Sequence, residues 1–218
     1  DCIMKVTVIG ANGQIGRKLV ALLQQNPQYS VRAAVRKTEQ QSAFQQSGVE
    51  SVLLDLEQSV SHIAQAIAGS DAVVFTAGSG GHTGADKTLL VDLDGAVKSI
   101  EAAQQVGVER FIMVSAIQAH RRENWNEKIR HYFVAKHYAD RILVQSTLNY
   151  TIIRPGGLTN EKGTGNITIA ENLERGLIPR EDVAAVIVAS LNEKAVYRRS
   201  FDLVSGQTPI AEALQPFS

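Results

Sequence analysis

The segment Lys5-Val6-Thr7-Val8-Ile9 runs directly into Gly10-Ala11-Asn12-Gly13-Gln14-Ile15-Gly16, and this junction constrains the fold more than any other feature of the chain. A short β-branched run followed by closely spaced glycines and then an apolar stretch of helical period reads as strand, tight loop and helix. The same alternation continues downstream. Strands are predicted at Lys5–Ile9, Ser30–Val35, Ser51–Leu54, Ala72–Thr76, Arg110–Val114 and Tyr150–Ile153, with a last one near Ser200–Val204. Helices are predicted at Ile15–Gln25, Thr38–Gln46, Val60–Ala68, Asp86–Gln105, Asn124–Ser146 and Arg180–Leu191, with Val134, Ile142 and Leu143 in the buried stripe of the long one. Val73-Val74-Phe75 and Phe111-Ile112-Met113-Val114 are too apolar for a strand with a wet face, so helices must cover both sides. The expected class is α/β: a doubly wound, mostly parallel Rossmann-type sheet with helices on both faces.

The 218 residues suit one domain, residues 4–218, in which 155–218 form a small substrate-side appendage. Met4 reads as a natural start, with Asp1-Cys2-Ile3 as additions ahead of it. There are 22 basic and 22 acidic residues, so no net field gathers nucleic acid or an anionic membrane, and a small-molecule partner is expected. Cys2 is the single cysteine, which excludes a disulfide framework and a thiolate metal centre and suits a reducing cytoplasm. No apolar run reaches the ~20 residues of a membrane span. The expected molecule is cytoplasmic, a monomer or homodimer, with no metal.

The glycine loop lets the chain turn with unusual dihedrals and brings backbone N–H groups to a pyrophosphate at a helix start. Its spacing is Gly-x-x-Gly-x-x-Gly, with the middle glycine displaced by one position from the commoner dinucleotide pattern. The end of the second strand, where an acid would hold the ribose of NAD, carries Arg36. A guanidinium grips a 2′-phosphate through paired charge-assisted bonds, so NADP(H) is preferred over NAD(H), with Arg17 and Lys37 as helpers. Asp55 and Leu56 after the third strand meet the adenine, and Thr76, Ala77 and Gly78 after the fourth pass along the cofactor. Gly10, Asn12, Gly13, Gln14, Ile15 and Gly16 complete this set. Gly78 to Gly84, with Ser79, His82 and Thr83, reads as a flap beside it.

Tyr132 and Lys136 lie four apart on a predicted helix and share a face. A nearby ammonium favours a phenolate, so Lys136 is expected to lower the Tyr132 pKa toward the working range and to reach the ribose hydroxyls. Ser115 ends the fifth strand, where its hydroxyl can bond the substrate oxygen as charge develops. His120, Arg121, Arg122 and Trp125 follow as a lid or a bland turn, while His131 and His137 are surface or packing residues.

In this order the glycine loop, Phe111-Ile112-Met113-Val114-Ser115, Tyr132-x-x-x-Lys136 and Tyr150-Thr151-Ile152-Ile153-Arg154-Pro155-Gly156-Gly157-Leu158 resemble the short-chain dehydrogenase/reductase superfamily. The resemblance runs from Met4 to about Val204 and is closest to the atypical branch of NmrA-like proteins, biliverdin reductase B-type flavin reductases and small epimerase-like proteins. It implies substrate-oxygen, proton-donor and ribose roles for Ser115, Tyr132 and Lys136, and places Pro155, Gly156 and Leu158 by the nicotinamide. Ala116 stands where many relatives carry a second serine, so Ser115 acts alone or the polar contact has shifted. About sixty residues follow Gly157, too few for a full nucleotide-sugar lobe. The function expected is NADP-dependent hydride transfer to or from a small carbonyl, alcohol or related acceptor. The alternatives are a non-catalytic NADP sensor and a cofactor-retaining epimerase or dehydratase.

Overall fold

In the computed structural model, which describes residues 2–79 and 83–216, every strand expected from the sequence is found. The elements are β1 (Met4–Ile9), α1 (Gln14–Gln25), β2 (Tyr29–Val35), α2 (Thr38–Gln46), β3 (Glu50–Leu53), α3 (Val60–Ile67) and β4 (Ala72–Phe75). Then come α4 (Ala85–Lys87), a π-helical turn (Thr88–Leu93), α5 (Asp94–Gln105), β5 (Arg110–Val114), α6 (Arg130–Gln145) and β6 (Asn149–Pro155). The remainder is β7 (Gly157–Thr159), β8 (Asn166–Ala170), β9 (Leu177–Pro179), α7 (Arg180–Leu191), β10 (Arg199–Ser205), β11 (Thr208–Pro209) and α8 (Ile210–Leu214).

The main sheet has the order β11-β8-β10-β6-β5-β4-β1-β2-β3. From β3 to β10 all neighbours are parallel, and β8 and β11 add an antiparallel edge. The strand order reverses between β1 and β4, the point at which open α/β sheets form a ligand crevice. Alternation along the central strands feeds two cores. Val74 and Ile112 point to the face covered by α1 and α7, where Leu19, Leu23, Val186 and Ile187 are fully enclosed. Val73, Phe75, Phe111 and Met113 point to the face covered by α3, α5 and α6, with Ile63, Ile67, Ile100 and Leu143. This two-sided burial is why these strands read as continuous apolar runs.

Several expectations need correction. No strand is predicted between Ile153 and Ser200, yet β7, β8 and β9 lie there. Their shortness and polar neighbours hide them from a periodicity reading. The helix expected over 86–105 is interrupted by the π turn, whose extra width turns Asp92 inward to 2% exposure and leaves Leu89 and Leu90 exposed. Such turns recur at functional sites. The helix expected from Asn124 begins at Arg130, behind two 3₁₀ turns at Arg122–Asn124 and Glu127–Ile129. Its buried stripe is Phe133, Ala135, Lys136, His137, Ala139 and Leu143, while Ile142 is exposed and Val134 only partly covered.

Candidate active site

The first glycine of the loop has φ +83°, and a Cβ there would lie 2.6 Å from the backbone of Ala77, so the β1 and β4 ends touch through it. A Cβ on Gly16 would come within 2.3 Å of the Gly10 carbonyl oxygen. Both positions therefore need glycine to let the loop fold back on itself. Gly13 is the N-cap of α1 and offers no side chain to the first N–H groups of the helix, which leaves them available to an anion.

Over this loop runs a groove of about 320 Å³ at the switch point. Of the residues expected to hold a dinucleotide, Gly10, Asn12, Gly13, Arg36, Asp55, Leu56, Ala77 and Gly78 line it. Gln14, Ile15 and Gly16 form the first turn of α1, outside the lining. Thr76 and Ser79 line it too, in keeping with the strand-end and flap readings, whereas Gln40, Glu57 and Val91 also line the groove and were not expected. Thr76 Oγ1 donates to the Ile9 carbonyl at 2.8 Å and fixes the floor of the crevice. Asp55 Oδ1 accepts from the Glu57 N–H at 2.9 Å, so this acid shapes its own turn. Arg36 is exposed at the end of β2 and close enough to Lys87 that its charge opposes the protonated lysine. Lys37 is also exposed. Arg17 lies in a separate depression with Gln14, Lys18 and Asn160.

The second part of the site lies one strand further along. The Ser115 N–H donates to the Ile153 carbonyl at 2.7 Å and the Ile117 N–H to the Pro155 carbonyl at 3.0 Å, which holds the end of β5 against the end of β6. Pro155 and Gly156 are buried there, Leu158 is on β7 at 37% exposure, and none of the three lines the dinucleotide groove. A Cβ on Gly156 would fall 2.3 Å from the Gly176 carbonyl oxygen, so the close strand packing accounts for this glycine.

Lys136 is 2% exposed; its Nζ sits 3.7 Å from Met113 Sδ and 5.6 Å from the Phe75 ring centre. Burial lowers its pKa, and the carboxylates of Asp140 and Asp92 oppose that shift. Asp92 connects the two halves of the site. Its carboxylate accepts from the Ser79 N–H at 3.0 Å and from Ser79 Oγ at 3.1 Å, at the wall of the groove, and is in turn stabilised by the Lys136 charge. Burial is the larger influence on it, and its own pKa is raised.

The expectation that Lys136 lowers the Tyr132 pKa is not met. Burial, followed by the carboxylates of Asp92 and Asp140, pushes the phenol above its ordinary value. The ammonium faces Met113 and Phe75 and shares its field with two acids, so the phenol feels the acids more. Tyr132 consequently holds its proton across the physiological range.

Ser115 does not stand alone. Its Oγ donates to Asp140 Oδ2 at 2.5 Å, an acid one helical turn beyond Lys136 that the sequence reading passed over. Burial raises the Asp140 pKa to about 6, against the opposing effects of Lys136, Ser115 and Arg154. The only signal for it was spacing: Tyr132, Lys136 and Asp140 form an i, i+4, i+8 stripe on one face of α6. Native Asp140 binds its proton more tightly than the unfolded chain, whose aspartates titrate near ~3.9. Its contribution to stability is therefore largest below that value and is lost as pH rises to about 6. Thermal melts should show the midpoint of the wild type falling relative to Asp140→Asn across this interval. A constant difference would refute the raised pKa.

The lid expectation is only partly matched. Trp125 stacks on Phe133 with centroids 6.1 Å apart, and its Nε1 donates to the Ala119 carbonyl at 3.1 Å, so its ring is spent on packing. His137 packs edge-on against it, as expected of a packing residue, and His131 is exposed. His120 bonds Asn172 at 2.6 Å, and Arg122 Nη2 donates to the Tyr138 hydroxyl at 2.9 Å. Arg121 lines a polar cavity of about 390 Å³ with Gln118, Asn124, Asn172, Glu174 and Arg175. Gln118 is a non-glycine residue at φ 62°, held there by Asp202, which accepts from its N–H at 3.3 Å and its Nε2 at 2.9 Å. In the expected flap, Thr83 Oγ1 donates to the Ser79 carbonyl at 3.1 Å, while Gly80, Gly81 and His82 lie outside the described residues. Among the described residues no cluster of His, Cys, Asp or Glu could hold a metal, and no helix is long and apolar enough to cross a membrane.

Comparison with known proteins agrees with this geometry. The chain is 63% identical over 212 residues to a Bacillus subtilis (strain 168) protein named uncharacterized sugar epimerase YhfK, covering 97% of this chain and 99% of that one. It is similar to the solved structure of a putative NAD-dependent epimerase/dehydratase from Bacillus halodurans, with TM-score 0.92, 41% identity and coverage of 98% and 99%. It also resembles ChuY, an anaerobillin reductase from Escherichia coli O157:H7, with TM-score 0.79, 25% identity and coverage of 93% and 97%. The model of the family described as NAD(P)H-binding matches residues 10–194, and the chain belongs to that family.

Proposed function

We propose that the protein is an NADP-dependent oxidoreductase that transfers hydride between the nicotinamide and a small carbonyl, alcohol or related acceptor. The observation that carries this reading is the continuity of the site: Ser79 of the dinucleotide groove bonds Asp92, and Asp92 acts in turn on Lys136 and Tyr132. The loop, groove and family fit a nicotinamide dinucleotide, which supplies the hydride when bound. Gly10, Asn12, Gly13 and the start of α1 would hold its pyrophosphate, and Arg36 its 2′-phosphate.

The chain's own residues supply the rest. Ser115 orients the substrate oxygen, and Tyr132 delivers the proton. A phenol with a raised pKa remains a suitable donor, because the alkoxide formed when a carbonyl accepts hydride is the stronger base. The name of the ChuY relative favours reduction. The epimerase names of the other two relatives leave a cofactor-retaining reaction as the second reading. Against it, β8, β10 and β11 extend the sheet and α7 packs on α1, so much of the segment after Gly157 builds the sheet and its cover.

Fluorescence titration with NADPH and NADH tests the cofactor form. NADPH should bind more tightly, and Arg36→Ala should weaken it by about 10- to 100-fold, the loss of charge-assisted bonds of ~1.5–3 kcal/mol, while leaving NADH nearly unchanged. Equal affinities in the wild type would overturn the NADP assignment.

A further inference from the structure

His120, His137 and Asp140 line a second cavity of about 270 Å³, together with Arg141, Val144 and Arg154. Each of the three leaves one buried polar atom without a hydrogen-bond partner: His120 Nδ1, His137 Nε2 and Asp140 Oδ1. Nearly all buried polar groups in folded proteins are partnered, so three orphans around one cavity call for an occupant.

The neighbouring bonds fix what that occupant offers. His137 Nδ1 lies 2.8 Å from the Ala119 carbonyl, which can only accept, so the proton is on Nδ1 and Nε2 of the neutral ring is an acceptor. His120 Nε2 faces Asn172 Oδ1 at 2.6 Å, which by the same reasoning makes His120 Nδ1 an acceptor. Asp140 Oδ1 is an acceptor whenever the carboxyl is ionised. A donor is needed. Arg141 and Arg154 oppose a cationic one, and the described residues offer no metal cluster. Water fits, and at ~30 Å³ per molecule the cavity has room for several.

Asp140 joins this cavity to the redox site, because its other oxygen, Oδ2, accepts from Ser115 Oγ at 2.5 Å. We infer that the cavity is a hydrated proton path, through which Asp140 takes protons from water held by His137 and His120 and passes them to Ser115 Oγ. The direction of transfer rests on the reductive reading above. In each turnover the nicotinamide gives a hydride to carbon and Tyr132 gives one proton to the oxygen. Ser115 Oγ then hands its proton to the Tyr132 phenolate, Asp140 reprotonates Ser115, and water in the cavity reprotonates Asp140. One proton from solvent thus replaces the one consumed. With Asp140 ionised, Ser115 donates to it; with Asp140 protonated the bond reverses, and the serine proton is free to point at the substrate side. The groups facing Asp140 are Tyr132, Lys136, His137 and Arg141 from its own helix, Arg154 from β6, and Ser115 and His120 from the end of β5 and the loop after it. Asp140 is thus a relay residue, acting through Ser115.

Two measurements on the full chain test this without a substrate. A crystal structure should contain ordered waters within hydrogen-bond distance of both Asp140 Oδ1 and His137 Nε2; a dry cavity, or orphans satisfied by direct protein contacts, would overturn the path. Carbon-13 NMR of the Asp140 carboxyl should show one averaged resonance moving through about pH 6. In Val144→Trp, which plugs the cavity, it should split into two slowly exchanging lines. Gln145→Phe plugs the same cavity should the first variant fail to fold. Identical exchange in plugged and wild-type protein would sink the relay even if NADPH turnover is found, whereas absence of turnover with slowed exchange would count against the reductase reading alone.

Discussion

Tyr132→Phe is expected to reduce NADPH-dependent turnover by about 10²- to 10⁴-fold, the usual contribution of a positioned proton donor, while NADPH affinity stays within about twofold, since the hydroxyl is outside the dinucleotide groove and no binding bond is lost. The hydroxyl is singled out by its surroundings. Burial and two nearby carboxylates keep it protonated, and it shares a helix face with Lys136, whose charge holds those carboxylates together. The activity in the reductive direction should therefore show no loss from phenol ionisation on the alkaline side of neutrality. A turnover unaffected by the substitution would transfer the donor role to Ser115 and Asp140. A turnover lost together with NADPH affinity would instead mark Tyr132 as a cofactor contact.

Asp202→Ala is expected to be the most destabilising single change outside the cores. Asp202 is fully enclosed on β10, and Arg154 on β6 is 4% exposed, with Nε donating to Asp202 Oδ1 at 2.7 Å. Its two oxygens also accept from the Gln118 N–H and Nε2 and from the Leu173 N–H at 3.0 Å. Removing the carboxylate leaves a buried guanidinium with the Glu171 carbonyl as its other partner, and frees the strained Gln118 turn. Breaking such a pair costs about 3–5 kcal/mol, or roughly 6–20 °C in melting temperature for a domain of this size. Calorimetry of Asp202→Ala against the double variant Arg154→Leu/Asp202→Leu separates the pair from the orphaned charge. The double variant should melt above the single one, and a single variant that melts with the wild type would show that the network contributes little.

Legibility of the sequence followed the range of the interactions involved. β1, the glycine loop and α1 could be read because their logic is local: a β-branched run, glycines where Cβ atoms would collide with neighbouring backbone, and a helical stripe. Two-sided burial of β4 and β5 was legible for the same reason. Asp140, Asp92 and Asp202 were not. Each is a single acid in an otherwise ordinary segment, and its importance comes from partners 25, 13 and 48 residues away, Ser115, Ser79 and Arg154. The π turn that buries Asp92 leaves no mark in a hydrophobic period. The direction of the Tyr132 shift was missed because those two unrecognised acids, and not Lys136, dominate its surroundings. Ser115 was found by its place at a strand end, and its partner only by the fold.

Stereospecifically deuterated NADPH offered with a panel of carbonyl, quinone and flavin acceptors tests hydride transfer most directly. The expected result is oxidation of NADPH above the protein-free blank, with deuterium carried to the acceptor and a slower rate for the labelled cofactor. NADPH that binds in the titration but is never oxidised by any acceptor would contradict the oxidoreductase and leave a cofactor-sensing protein.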